Sequence, residues 1–396
     1  MNFDFTYYMP TRLVFGPGKA GDLATTPFLP GRRALIVIGA AGAMRRFGYL
    51  DRVAGCLRQN GVESVVFDRI LANPVTEHVA EGAALARSEG CDFVLGLGGG
   101  SSIDSAKSIA VMATNPGDYW DYMAGGTGGK KTPPNRALPV VAVPTTAGTG
   151  TETDPWTVIT NTKTNEKIGW GSDDTFPVLA VVDPELMISV PPKMTAYTGM
   201  DAFFHAVECY LATVNQPASD RFALEAIRLI TGNLPAAVSN GADLEARTRL
   251  AWASAEAGIC ESLSCCISQH SMEHAVSAFY PDIPHGAGLV MLSVAYFSYL
   301  AERSPERFAD MARAMGEDVD ALPEEQQAGA FIAGLKKLIR AIGLEGERLA
   351  GYGVKKEDIP GLAENSISAM GFLYELTPVK MTVDDAVAIF EKAFEG

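Results

Sequence analysis

"LGLGGGSSIDSAK", residues 95–107, joins an apolar run to three consecutive glycines, two serines and a helix-forming tail. A strand ending at Gly98 and a helix beginning near Ser101 or Ser102 place this turn at the carboxyl end of a sheet. Glycines there let backbone N–H groups approach a pyrophosphate, and the helix N-terminus adds partial positive charge. Ser101 and Ser102 are expected to cap the helix or to donate to phosphate oxygens. A plain turn needs glycine only for a positive φ, and three glycines with two serines exceed that need. The pattern is not the GxGxxG of the standard dinucleotide fold, and it follows a middle strand rather than the first.

Outward from this turn the chain shows two regimes. Up to about residue 190, short β-branched runs alternate with helical patterns: strands at 33–39, 63–68, 91–98 and 138–145, helices at 45–59, 76–89 and 102–113. Strands apolar throughout, separated by helix-length segments, predict a parallel α/β sheet. From about 191 the β-rich runs vanish. Helical periodicity then dominates 195–213, 218–231, 243–264, 267–279, 285–302, 305–315, 325–341 and 380–394. Pro191 and Pro192 mark the boundary. The expected architecture is an α/β nucleotide-binding domain with a parallel sheet over 1–190 and an all-α domain over 191–396.

A net charge of −15 and a pI near 4.8 argue against nucleic acid or an anionic membrane as partner. A phosphate-bearing ligand must then be held by local backbone donors. The six cysteines form no CxxC pair and read as reduced thiols of a cytoplasmic protein. No signal peptide and no membrane-length apolar run is apparent.

A second motif, "VPTTAGTGTETD" (143–154), runs from a strand into a loop dense in hydroxyls, with Thr145, Thr146 and Thr149 foremost. Such a loop at the end of a sheet suits polar contacts to a ligand. The third signal is histidine. Three of the five histidines lie in "HSMEHAVSAFYPDIPHG", residues 270–286. Upstream, "GMDAFFHAVE" (199–208) sets Asp201 and His205 four apart, on one helix face, and His270 and His274 repeat that spacing. His285 follows in a turn fixed by Pro281, Pro284 and Gly286. Nitrogen and oxygen donors together suit Fe(II), Zn(II), Mn(II) or Co(II). His78, alone near a helix start, reads as a solvated side chain.

In these motifs the chain resembles the iron-containing (group III) alcohol dehydrogenase family along nearly its whole length. "VFGPGK", "GGGSSIDSAK", "PTTAGTGTE", "DPEL" (183–186), "TGMDAFFHAVE" and the histidine segment ending in "PHG" stand in the family's order. The resemblance implies the dehydroquinate synthase-like fold, with the active site in a cleft between the two domains. It implies metal ligands at Asp201, His205, His270 and His285, with Fe(II) the expected ion and Zn(II) the alternative. His274 matches the histidine that passes protons without ligating. Cofactor contacts fall on Asn73, Gly98, Gly99, Gly100, Ser101, Asp104, Thr145, Thr146, Thr149 and Lys167, and Ser102 lies in the same turn.

Family members that prefer NAD(H) often carry an acidic residue at the end of the first strand, where it bonds the ribose 2′-hydroxyl. Here Gly39 occupies that cofactor-facing place, and Arg45 and Arg46 follow, so the charge argument favours NADP(H). Trp156 and "CESLSCC" (260–266) depart from relatives where the substrate pocket is expected. The implied reaction is hydride transfer between a nicotinamide and a small alcohol or aldehyde, in a homodimer or higher homo-oligomer. A sugar-acid lyase or polyol dehydrogenase of the same superfamily, or a metallohydrolase, is the rival reading. The lyase wants more Lys and Arg than residues 199–290 hold.

Overall fold

The computed structural model describes residues 3–395. It divides into two compact units: one runs Met9–Val190, and the other takes the chain from Pro191 together with residues 3–8. Gln216 Nε2, donating to the Thr6 carbonyl at 3.3 Å, ties that leading segment to the helical unit.

The α/β unit has strands β1 (Arg12–Phe15), β2 (Arg33–Gly39), β3 (Glu63–Ile70), β4 (Phe93–Gly98), β5 (Val140–Pro144), β6 (Thr157–Asn161), β7 (Glu166–Trp170) and β8 (Leu179–Val182). Six of them form a parallel sheet in the order β1-β8-β5-β4-β2-β3, and β6 and β7 form a separate antiparallel hairpin. The central strands are buried along nearly their whole length, as sheets covered on both faces require. From β2 the chain steps outward to β3, then returns past β2 to β4 and continues to β5 and β8. The strand order therefore reverses between β2 and β4, the place where open α/β sheets bind ligands beyond their carboxyl ends. Those ends are Gly39 and Gly98.

The helices of this unit are α1 (Ala43–Arg46), α2 (Tyr49–Gln59), α3 (Thr76–Ser88) and α4 (Gly100–Thr114). The single helix expected over 45–59 is two, because Gly48 adopts φ +73° between them. β1, β8 and the hairpin carried too short a pattern to be read from the sequence. Two motifs that the sequence set far apart meet at neighbouring strands. Asp183 of "DPEL" accepts the amides of Gly18 of "VFGPGK" and of Ala20 just after it, each at 3.0 Å. Both motifs thus serve the fold.

The helical unit comprises α5 (Pro192–Leu211), α6 (Pro217–Ser239), α7 (Leu244–Leu263), α8 (Ser268–Phe279), α9 (His285–Arg303), α10 (Phe308–Ala314), α11 (Glu324–Ala341), α12 (Ile359–Leu376) and α13 (Val383–Glu395). Pro192 sits at the first helical position of α5, where a missing N–H costs nothing. α5 is buried around most of its circumference, so it is a central helix. Phe203 stacks on Phe331 of α11 and Phe204 on Phe297 of α9, with ring centroids 6.3 and 5.8 Å apart. Asp201, His205 and Glu208 share a face of the same helix, opposite Phe203 and flanked by Phe204. α9 comes close: a Cβ on Gly286 would lie 2.2 Å from the Tyr197 carbonyl oxygen of α5. α6 extends past the expected end at 231, carrying Pro235 inside it. α12 went unread because Pro360, Gly361 and Gly371 interrupt its pattern, and it bends at Met370 (φ −133°, ψ 42°).

α4 braces the hydroxyl-rich loop. Asp104, Lys107 and Ser108 share one helix face. Lys107 is fully buried, and its Nζ donates to Thr151 Oγ1 (2.6 Å), the Asp154 carbonyl (2.9 Å) and the Trp156 carbonyl (2.6 Å) while pairing with Asp154 Oδ1 at 3.1 Å. Removing one partner of a buried pair leaves the other charge uncompensated. Lys107→Met is therefore expected to destabilise the α/β unit by about 3–5 kcal/mol, read as a fall in the urea midpoint. An unchanged midpoint would show that this pair does not hold the loop.

Candidate functional site

In the α/β unit the Gly-rich turn packs face to face with the Thr-rich loop. Gly98 has φ +149°, and the Thr145 amide donates to its carbonyl at 2.8 Å. A Cβ on Gly100 would lie 2.4 Å from Thr149 Cγ2, and one on Gly99 would lie 3.2 Å from Thr146 Oγ1. Part of the glycine requirement is thus loop-against-loop packing. α4 starts at Gly100 with Gly99 as its N-cap, and no side chain caps it. The expected serine cap is not formed: Ser101 Oγ donates instead to the Ala72 carbonyl at 2.5 Å, and Ser102 is buried.

Ser101 thereby anchors the segment that carries Asn73. Lys167 Nζ donates to Asn73 Oδ1 at 3.2 Å, so two expected cofactor residues 94 positions apart touch. Asp104 faces inward. Its Oδ1 accepts from Thr151 Oγ1 (2.7 Å) and its Oδ2 from the Val158 amide (3.0 Å), which makes it a support of the loop. Beyond β2, Arg45 pairs with Asp68 at 2.8 Å and Arg46 lies over the Phe47 ring. His78, expected to be solvated, is half-buried, and its Nδ1 has no hydrogen-bond partner.

In the helical unit the imidazoles converge. The Nε2 atoms of His205, His270 and His285 lie 3.7, 3.7 and 3.4 Å from Asp201 Oδ1. Two donors held by one ion at about 2.1 Å in tetrahedral geometry stand about 3.4 Å apart. Asp201 Oδ1 and His270 Nε2 are buried without hydrogen-bond partners, which native interiors rarely tolerate without an ion or water. The donor set fits a divalent first-row cation. Asp201, His270 and His285 form one compact ligand group, His205, His270 and Cys266 a second that overlaps it through His270, and Glu273, His274 and His285 a third that shares His285. His205 Nε2 also lies 3.0 Å from Glu261 Oε1, while its Nδ1 has no partner.

Each of two rings is aimed by a buried carboxylate. His270 Nδ1–H donates to Glu208 Oε1 at 2.5 Å, and His285 Nδ1–H donates to Glu273 Oε2. Both contacts turn Nε2 toward Asp201, as metal-binding histidines are usually oriented. His274 stands beside the cluster, with its Nδ1 against Met370 Sδ at 3.1 Å, where α12 bends. Its ring centroid is 5.4 Å from that of His285.

Electrostatics fit the same picture. Burial alone would lower the His270 pKa, but Glu208 and Asp201 outweigh it and hold it well above the usual value. His205 is raised likewise, its burial outweighed by Glu261 and Asp201. Burial would raise Asp201, yet His205, His285 and His270 hold it below the ordinary carboxylate range. The pocket attracts positive charge.

Glu208, Glu261, Glu273 and Met370 escaped the sequence reading. The signal for the first three was a lone acid inside an apolar helical stretch, as in "AVECYL", "GICESL" and "SMEHAV".

A parallel sheet with a glycine-rich turn in one unit, and a buried imidazole–carboxylate cluster in the other, is the make-up of a nucleotide-using metalloenzyme. The profile of a family described as iron-containing alcohol dehydrogenase matches residues 10–184, and that of its C-terminal domain matches 195–394. The chain is 36% identical to the 1,3-propanediol dehydrogenase of Klebsiella pneumoniae over 98% of this chain and 99% of that one. It is 35% identical to the NAD-dependent methanol dehydrogenase of Bacillus methanolicus over 98% and 99%. Among solved structures, an alcohol dehydrogenase from an archaeal halo-thermophile of a Red Sea brine pool superposes with a TM-score of 0.93 at 35% identity, covering 99% of this chain and 100% of that one. The chain belongs to the iron-containing alcohol dehydrogenase family. It is an NAD(P)-dependent oxidoreductase of alcohols and aldehydes.

If Glu208 and Glu273 aim the rings, Glu208→Gln and Glu273→Gln are each expected to weaken divalent-metal affinity about 10–100-fold, measured by competition with a chromophoric chelator. Wild-type affinity in both variants would remove the carboxylates from the site.

Proposed function

We propose that this enzyme interconverts a short-chain primary alcohol and its aldehyde. Its cation is held by Asp201, His205, His270 and His285, and its nucleotide by Gly39, Asn73, Gly98, Gly99, Gly100, Ser101, Ser102, Thr145, Thr146, Thr149 and Lys167, with Asp104 acting through the loop it braces. The observation that carries this reading is the approach of three imidazole nitrogens to one unpartnered carboxylate oxygen of Asp201. A bound cation supplies Lewis acidity toward the substrate oxygen, and the nicotinamide supplies or accepts the hydride.

The chain's own residues do the rest. Amides of the Gly-rich turn and the uncapped start of α4 receive the pyrophosphate. Glu208 and Glu273 fix the rings. His274, close to His285 yet held on Met370, relays the proton that leaves the alcohol. Iron is the family's metal, and imidazole and carboxylate donors accept Fe(II) or Zn(II) alike. Relatives named for 1,3-propanediol, methanol and butanol support a small unbranched substrate.

For the nucleotide, NADP(H) is favoured over NAD(H). Gly39 offers no carboxylate against a 2′-phosphate, and Arg46 stands exposed nearby. The exposed aromatic side chains Phe3, Phe5, Tyr7 and Tyr8, ahead of edge strand β1, support a homo-oligomer. The six free cysteines support a reducing, cytoplasmic compartment. No helix of the described residues is long and apolar enough to cross a membrane.

Two measurements test this. Metal-loaded protein mixed with NADPH and short straight-chain aldehydes should lose nicotinamide absorbance, and prior chelation should abolish that loss. No oxidation with any aldehyde in fully loaded protein contradicts the reading. A Cβ at Gly39 meets nothing closer than the Ile70 carbonyl oxygen at 3.7 Å, so Gly39→Asp is sterically open. It is expected to shift the NADPH-to-NADH ratio of kcat/KM toward NADH by roughly tenfold or more, through repulsion of the 2′-phosphate. An unshifted ratio would remove residue 39 from cofactor choice.

A further inference from the structure

"CESLSCC" (260–266) crosses from the end of α7 to the start of α8, and the link is pinned to the residue that aims His270. The Ile267 amide donates to Glu208 Oε2 at 2.8 Å, and Ser264 Oγ donates to the Cys209 carbonyl at 2.9 Å. This brings Cys266 Sγ into one compact group with ring nitrogens of His205 and His270. The Cys266 thiol donates to Glu261 Oε1 at 3.0 Å, and that same oxygen lies 3.0 Å from His205 Nε2. Cys266 therefore stands among donors, with a carboxylate already receiving its proton.

His270 is common to the group that holds Cys266 and the group that holds Asp201. With its Nδ1–H committed to Glu208, it has only Nε2 to give, and that atom is buried without a partner. Two ions cannot share it, so the two groups describe one centre. We propose that Cys266 is a thiolate donor to this centre, which makes it a mixed nitrogen, oxygen and sulfur site. The inference rests on the metal centre proposed above and adds a donor to it. Ligation breaks the S–H bond as the sulfur–metal bond forms, and the proton passes to Glu261 Oε1. No oxidant or reductant is needed. Soft thiolate shifts the site's preference from Fe(II) toward Zn(II).

Cobalt(II), a spectroscopic stand-in for zinc, separates the outcomes. The wild-type protein titrated with Co(II) should show visible d–d bands, which report binding, and a near-ultraviolet thiolate-to-cobalt charge-transfer band, which reports sulfur. Cys266→Ala should keep the visible bands and lose the ultraviolet one, while Cys265→Ala keeps both. Visible bands without a charge-transfer band in the wild type overturn the thiolate and leave the imidazole–carboxylate centre standing. No bands of either kind overturn both. If Cys266→Ala fails to fold, X-ray absorption of the zinc-loaded wild type decides: a sulfur at about 2.3 Å beside nitrogen and oxygen at about 2.0–2.2 Å is expected. A shell of nitrogen and oxygen alone overturns the thiolate.

Discussion

Asp201, Glu208, Glu261 and Glu273 are buried together among apolar helices, and their charge governs the helical unit. A buried carboxylate is costly unless it is paired and hydrogen-bonded. Here the partners are three imidazoles, whose own burial would otherwise strip them of charge. His205 and His270 respond with raised affinity for protons, His270 most of all. Protonated histidines can balance the carboxylates, and a divalent cation does the same with the protons released. The geometry proposed to hold the metal is thus the geometry that makes the buried charge tolerable.

The apolar framework fixes where that charge sits. α5 packs Phe203 against α11 and Phe204 against α9, beside the face that presents Asp201, His205 and Glu208. Gly286 permits α9 to start against the α5 backbone, and His285 is the first residue of that helix. A Cβ on Gly288 would lie 2.7 Å from Glu273 Oε1. Small residues beside His285 therefore leave room for the carboxylate that orients it. In the α/β unit the same economy appears differently. The second half of "GGGSSIDSAK" holds the Thr-rich loop through Asp104 and Lys107, while the first half leaves backbone amides at the sheet's switch point.

How much of this could be read from residues alone follows from the range of each pattern. Uniformly apolar strands and long periodic helices announce themselves locally, so the parallel sheet and most helices were readable. Asp201 and His205 at i,i+4 were readable for the same reason. Glu208, Glu261 and Glu273 were not, because a single acid in an apolar helix gains meaning only when folding sets a histidine against it. α12 was hidden by Gly and Pro, and its bend at Met370 serves His274, a partner 96 residues away. The glycines of residues 98–100 were readable as a turn but not as the surface on which Thr146 and Thr149 pack. The serine cap failed because Ser101 found the Ala72 carbonyl, a contact no local rule predicts.

Whether one cation joins these side chains can be settled by anomalous diffraction at the zinc edge from crystals of zinc-loaded protein. The strongest peak should lie about 2.0–2.2 Å from the Asp201 carboxylate and from Nε2 of His205, His270 and His285. A fully loaded crystal whose strongest peak stands elsewhere, with those rings turned away from Asp201, would contradict the account at its root.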